Sequence, residues 1–188
     1  MSDPTASPRP SLIVVTGQPG SGKSTLAHAL ARAVRCPAIC RAEIKEGFVN
    51  TTGQSGEGGD DIARGVYETF FDTIRLLLDR RITLIAEAAF QHKLWAPKLE
   101  VLRQIARVRI VVCTVDPSLA RARHVERGLA DADREQFHPD DVMRAAREGR
   151  DAPITPHDPP CLDVPTLTVD TSDGYAPPFD AMVAFARG

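Results

Sequence analysis

The stretch Gly17-Gln18-Pro19-Gly20-Ser21-Gly22-Lys23-Ser24 constrains this chain more than any other. An apolar, partly β-branched run, Leu12-Ile13-Val14-Val15-Thr16, precedes it. Thr25 and a helical pattern with Leu26, Leu30 and Val34 on one stripe follow it. A buried strand that feeds a glycine-rich turn and opens a helix leaves few possible folds. The glycines let backbone amides turn inward, and the helix amino terminus adds partial positive charge, so the loop reads as a cradle for phosphate oxygens.

Four more strands are expected, at Ala38-Ile39-Cys40, Ile82 to Ala86, Val108 to Val115 and Leu167 to Asp170. Between them lie helical patterns. One carries Ile62, Val66, Phe70, Ile74 and Leu78, with Arg80-Arg81 at its end, where cations suit the helix dipole. Another carries Leu94, Trp95, Leu99, Leu102 and Ile105. A third starts at Asp116-Pro117-Ser118 and is rich in arginine, and a closing helix spans 178–186. His138-Pro139-Asp140-Asp141 reads as the cap of a short helix, 50–59 as a loop, either a mobile substrate loop or a plain surface loop, and 151–165 as an extended connection. Strands alternating with helices predict an α/β fold: a three-layer, five-stranded parallel sheet covered on both faces. Ligands of such sheets sit beyond the strands' carboxyl ends. The phosphate loop, Ala42, Glu87 and Asp116 all fall at that edge.

The predicted nucleotide-binding residues are Gly17, Gln18, Pro19, Gly20, Ser21, Gly22, Lys23, Ser24 and Thr25. Lys23 can reach the β- and γ-phosphates of ATP, and the Ser24 hydroxyl can hold Mg2+. Glu87 closes a strand expected beside the first one; an acid there can act on the metal through water or accept a proton from an acceptor. Otherwise it is a salt-bridged or solvated strand-end glutamate. Arg123 and Arg127 are four apart on one helix, so they share a face. From spacing alone they are either a pair over the site, stabilising charge on a transferred phosphoryl group, or part of a solvated arginine-rich face.

The 188 residues suit one domain, 11–188, after a tail at 1–10 rich in Pro and Ser. That start lacks the apolar core of a signal peptide and no run is long enough for a membrane span, so a cytoplasmic protein is expected. The net charge is -2, and no basic and aromatic stripe suggests extended nucleic-acid contact. The cysteines Cys36, Cys40, Cys113 and Cys161 lack the spacing of a metal motif and read as reduced, mostly buried thiols. Of the histidines, His28 lies on a helix and His92, His124, His138 and His157 read as surface or capping residues. Oligomeric state stays open.

Three further segments narrow the class. Arg41-Ala42-Glu43-Ile44-Lys45, Ala86-Glu87-Ala88-Ala89-Phe90 and Arg123-His124-Val125-Glu126-Arg127-Gly128, with the phosphate loop, resemble the small P-loop kinases. That group includes zeta toxins, chloramphenicol phosphotransferase, the kinase domain of polynucleotide kinase and bacterial AAA-family ATP-binding proteins. The resemblance covers roughly residues 11–187. It implies an ATP- and Mg2+-dependent phosphotransferase acting on a hydroxyl of a small molecule such as a nucleoside, sugar or antibiotic. It also implies a lid at about 121–138 whose arginines clamp phosphates, and an adenine pocket near Thr171-Ser172-Asp173. The acceptor is expected near Arg41, Glu43, Lys45 and Phe90. One position departs from the family pattern: Ala42 stands where these kinases usually place an aspartate base. Glu43 or Glu87 takes over, or the chain binds ATP as a regulator or impaired kinase, or the alanine is an introduced replacement. A polynucleotide 5′-kinase is the lesser alternative.

Overall fold

The computed structural model of the chain describes residues 9–54, 59–131, 137, 144–145, 147–150 and 156–188. The capping motif expected at 138–141, most of the tail and part of the expected lid lie outside the described residues. The elements run β1 (Ser11–Gly17), α1 (Lys23–Val34), β2 (Ala38–Cys40), α2 (Arg41–Thr52), α3 (Gly59–Asp79), β3 (Leu84–Glu87), α4 (His92–Leu102), β4 (Arg107–Thr114), α5 (Pro117–Ala130), β5 (Thr166–Asp170) and α6 (Phe179–Arg187).

All strand pairs are parallel, in the order β2-β3-β1-β4-β5. The expected five-stranded parallel α/β sheet is therefore the fold. β1 lies at the centre and every one of its residues is buried. Its side chains alternate between faces, as the strand period of two requires. Leu12 and Val14 join a core with Phe70 and Ile74 of α3, Leu99 of α4 and Phe90 of the connection between β3 and α4. Ile13 and Val15 join a second core with Leu26, Leu30 and Met182, supplied by α1 and α6. The chain leaves β1 toward β2 on one side and later crosses to β4 on the other, so the strand order reverses at the carboxyl end of β1. That reversal opens a crevice where the phosphate loop begins. Among the described residues no helix is long and apolar enough to cross a membrane.

Some element ends differ from expectation for local reasons. Asn50, Thr51 and Thr52, expected in a loop, extend α2. The Thr51 and Thr52 hydroxyls donate to Gly47 O and Phe48 O, four residues back, and Gly53 ends the helix at φ 66°. Ile82 and Thr83, expected in β3, precede it. Arg81 turns into the left-handed region at φ 61° and Ile82 N donates to Leu77 O, so Ile82 finishes the end of α3. Ile105 lies beyond α4, and Pro10, expected in the tail, is buried with its carbonyl accepting from Arg107 N.

Candidate functional site

The loop between β1 and α1 is shaped by two glycines that need positive φ, Gly20 at 82° and Gly22 at 74°. A Cβ at Gly20 would overlap the Ala120 carbonyl oxygen of α5. Gly20→Ala therefore should destabilise the fold by about 1–3 kcal/mol and weaken nucleotide binding together, because relief requires the loop or α5 to move. Chemical denaturation and a fluorescent-nucleotide titration check both; wild-type values in each would show the loop tolerates a side chain there.

The loop is fastened from three sides. Ser21 N donates to Gln18 O at 3.1 Å, and Gln18 Nε2 donates to Val115 O at 3.1 Å. Thr171, just past β5, is buried and its hydroxyl donates to Ser21 O at 2.8 Å. Arg123 of α5 in turn donates to Thr171 O at 2.9 Å and Ser172 O at 2.7 Å. The resulting chain from α5 through the loop after β5 to the phosphate loop makes Arg123 a brace for the nucleotide-facing backbone.

The loop fits a polyphosphate. Helix α1 begins at Lys23 with no side-chain cap and no acid in its first turn, so its amino-terminal N–H groups stay available to an anion. Ser21 Oγ is buried without a hydrogen-bond partner among the described residues. Thr25 is exposed in the first turn. Ser24 and Glu87 both line the cleft described next, and a hydroxyl and a carboxylate are donors that suit a divalent cation.

Beside the loop lies a cleft of about 400 Å³. Its lining brings together Lys23, Ser24, Glu87 and Arg127 with Arg41, Ala42, Glu43 and Lys45 of the first turns of α2. Glu87 is 2% exposed and pairs with Lys23 Nζ at 3.6 Å. The pairing of β3 with β1 sets it opposite Val15, and that with β2 opposite Cys40. Arg41 lies over the Trp95 ring at 5.8 Å, and its buried Nε has no hydrogen-bond partner among the described residues. Burial lowers the pKa of Arg41, and burial with Arg41 nearby lowers that of Lys45. Both cations are partly buried on the cleft wall, where an anionic group is favoured.

Two expected site residues lie elsewhere. Phe90 is fully buried among Phe70 and Trp95, with its ring centroid 4.6 Å from that of Trp95, and does not line the cleft. Arg123 is turned to the loop after β5 as described, and only Arg127 of the pair lines the cleft. Others were missed by sequence reasoning. Cys40, Glu46 and His124 line the cleft, and His124, expected at the surface, is 7% exposed. Its spacing of three from Arg127 was the available signal. His157 is half-buried rather than a surface residue. Its Nε2 lies 3.1 Å from Thr16 Oγ1, which accepts from Phe90 N at 3.0 Å, and burial holds its pKa below the ordinary imidazole value. Cys161 is exposed, whereas Cys40 and Cys113 are buried as expected.

A phosphate loop at the switch point of a parallel sheet, facing a charged cleft, defines a P-loop nucleotide-binding domain of the kinase-like group. The chain belongs to the AAA domain family, whose model matches residues 12–153. Among solved structures it is similar to a candidate kinase from Chloroflexus aurantiacus, with 27% identity, a TM-score of 0.73 and coverage of 96% of this chain and 98% of that one. The fold is shared with an APS kinase from Mycobacterium tuberculosis solved with AMPPNP and APS (19% identity, TM-score 0.58, coverage 95% and 96%). It is also shared with a gluconokinase from Sinorhizobium meliloti (20% identity, TM-score 0.50, coverage 95% and 89%). No curated protein matches the chain.

Proposed function

We propose that the protein is an ATP-dependent phosphotransferase that moves the γ-phosphoryl group to a hydroxyl of a small molecule. The observation that carries this reading is the cleft whose lining brings Lys23 and Ser24 together with Arg41, Lys45, Arg127 and the buried Glu87. The loop amides, the α1 amino terminus and Lys23 bind the phosphates. Ser24, with Glu87 through water, would hold magnesium, which would neutralise charge on the phosphate oxygens. Arg127 stabilises charge on the transferred group. Arg41, Glu43 and Lys45 bind the acceptor, and Thr171 and Ser172 flank the adenine side. The likeness to the Chloroflexus aurantiacus candidate kinase over nearly the whole of both chains supports the phosphotransferase class. Glu43, Glu46 and Glu87 interleave with the cations of the cleft, which favours a small polar acceptor over an extended polyanion.

Ala42 favours a second reading, a regulator that binds ATP with little turnover. Its methyl group lines the cleft where the family resemblance places an acid. Labelled ATP incubated with a panel of sugars, nucleosides and hydroxylated antibiotics separates the two. The phosphotransferase reading expects at least one acceptor to be labelled in a Lys23-dependent manner. Tight ATP binding with no acceptor labelled across the panel favours the regulator.

A further inference from the structure

Three side chains from three elements meet beside the cleft, two of them, Cys40 and Glu43, lining it. His28 projects from α1, Cys40 ends β2, and Glu43 lies in the first turn of α2. His28 Nε2 is 2.7 Å from Glu43 Oε1 and 3.6 Å from Cys40 Sγ, and one ligand atom from each of the three lies within 4.8 Å of the others. We infer that His28, Cys40 and Glu43 form a binding site for a divalent cation of the zinc class, separate from the magnesium position at Ser24. The inference goes beyond the kinase reading and does not depend on it.

The donor set selects the cation. A thiolate and an imidazole are soft or borderline ligands, which favour Zn2+ over Mg2+, and the carboxylate completes a three-ligand set. Around tetrahedral zinc, bond lengths of about 2.3 Å to sulfur and about 2.0 Å to nitrogen place those two ligands about 3.5 Å apart. The Cys40–His28 separation, 3.6 Å, is close to this value. The His28–Glu43 separation is that of a hydrogen bond and must widen to about 3.3 Å. Both side chains have room to do so, at 38% and 53% exposed.

Cys40 is the constrained partner. It is buried and sits opposite Glu87 in the sheet. Metal binding takes Cys40 as the thiolate, and its proton leaves to solvent. Three protein ligands leave the fourth position open to water or to a ligand in the cleft. The spacing 28, 40, 43 matches no linear metal motif; only the meeting of α1, β2 and α2 assembles it.

The test uses the full chain without a metal-binding tag. Zn2+ is titrated against a chromophoric chelator, and Co2+ is used as a spectroscopic probe. One equivalent of zinc per chain is expected, with a thiolate-to-cobalt charge-transfer band and the intense visible absorption of a tetrahedral site. H28Q and E43Q each should weaken zinc binding at least tenfold, and C40S should abolish the charge-transfer band. Because Cys40 is buried, the partly exposed His28 and Glu43 keep the test decisive if C40S does not fold. C161S should leave binding unchanged. Substoichiometric binding, a cobalt spectrum without the thiolate band, or affinity indifferent to H28Q and E43Q would each overturn the site. ATP-dependent labelling of acceptors is measured separately, so its failure bears on the kinase reading alone.

Discussion

Lys23→Met is expected to lower acceptor phosphorylation by about 10³-fold and to weaken ATP binding by about 10–100-fold. The affinity loss follows from charge-assisted hydrogen bonds worth about 1.5–3 kcal/mol. The larger loss in rate follows from removing a cation aimed at charge that grows in the transition state. The geometry predicts a second consequence. Lys23 is the ion-pair partner of Glu87, whose side chain is 2% exposed. Truncating the lysine leaves that carboxylate buried without its cation, which costs about 3 kcal/mol at neutral pH. We take the low end of the range because the pair is separated by 3.6 Å and Lys23 retains 14% exposure. Stability and activity therefore fall together in the single variant. They separate in the double variant Lys23→Met with Glu87→Gln, which should regain most of the stability and none of the transfer. Urea denaturation and a nucleotide titration on the two variants make the comparison. Unaltered ATP affinity in Lys23→Met would remove residues 17–24 from the phosphate site.

The parts of the molecule that were legible in the sequence are those written in local periodicity. The run from Leu12 to Thr16, the helical stripe of Leu26 and Leu30 and the β-branched fourth strand each carry their own pattern, and the sheet follows from their alternation. Glu87 was legible because the end of a buried strand in such a sheet has a fixed destination, beside β1. Side-chain direction was not legible. Arg123 and Arg127 have the same spacing signal, yet one reaches the carbonyls of Thr171 and Ser172 and the other the cleft. The difference depends on where the loop after β5 lies, a contact 48 residues away in the chain. Phe90 likewise follows Glu87 closely in sequence, but its ring fills the space between α3 and α4. The meeting of His28, Cys40 and Glu43 is of the same kind, since only the packing of three elements creates it.

Ala42→Asp should raise acceptor phosphorylation by about 10²-fold, at the low end of what a positioned general base contributes. Ala42 is the second residue of α2 and lines the cleft beside Arg41. A carboxylate in the first turn of a helix is favoured by the dipole, and Lys45, three residues on, shares its face. The new group therefore enters an environment that accepts its charge. The carboxylates proposed to replace the missing acid are already engaged, Glu43 with His28 at 2.7 Å and Glu87 with Lys23 at 3.6 Å. Single-turnover transfer at saturating ATP isolates the chemical step, and ATP affinity measured in parallel should change little, because the substitution lies in α2 and not in the phosphate loop. A rate unchanged by Ala42→Asp would take position 42 out of the mechanism. Glu43→Gln and Glu87→Gln would then identify the base, since only the group that accepts the acceptor's proton shows its loss as a fall in the single-turnover rate at constant ATP affinity.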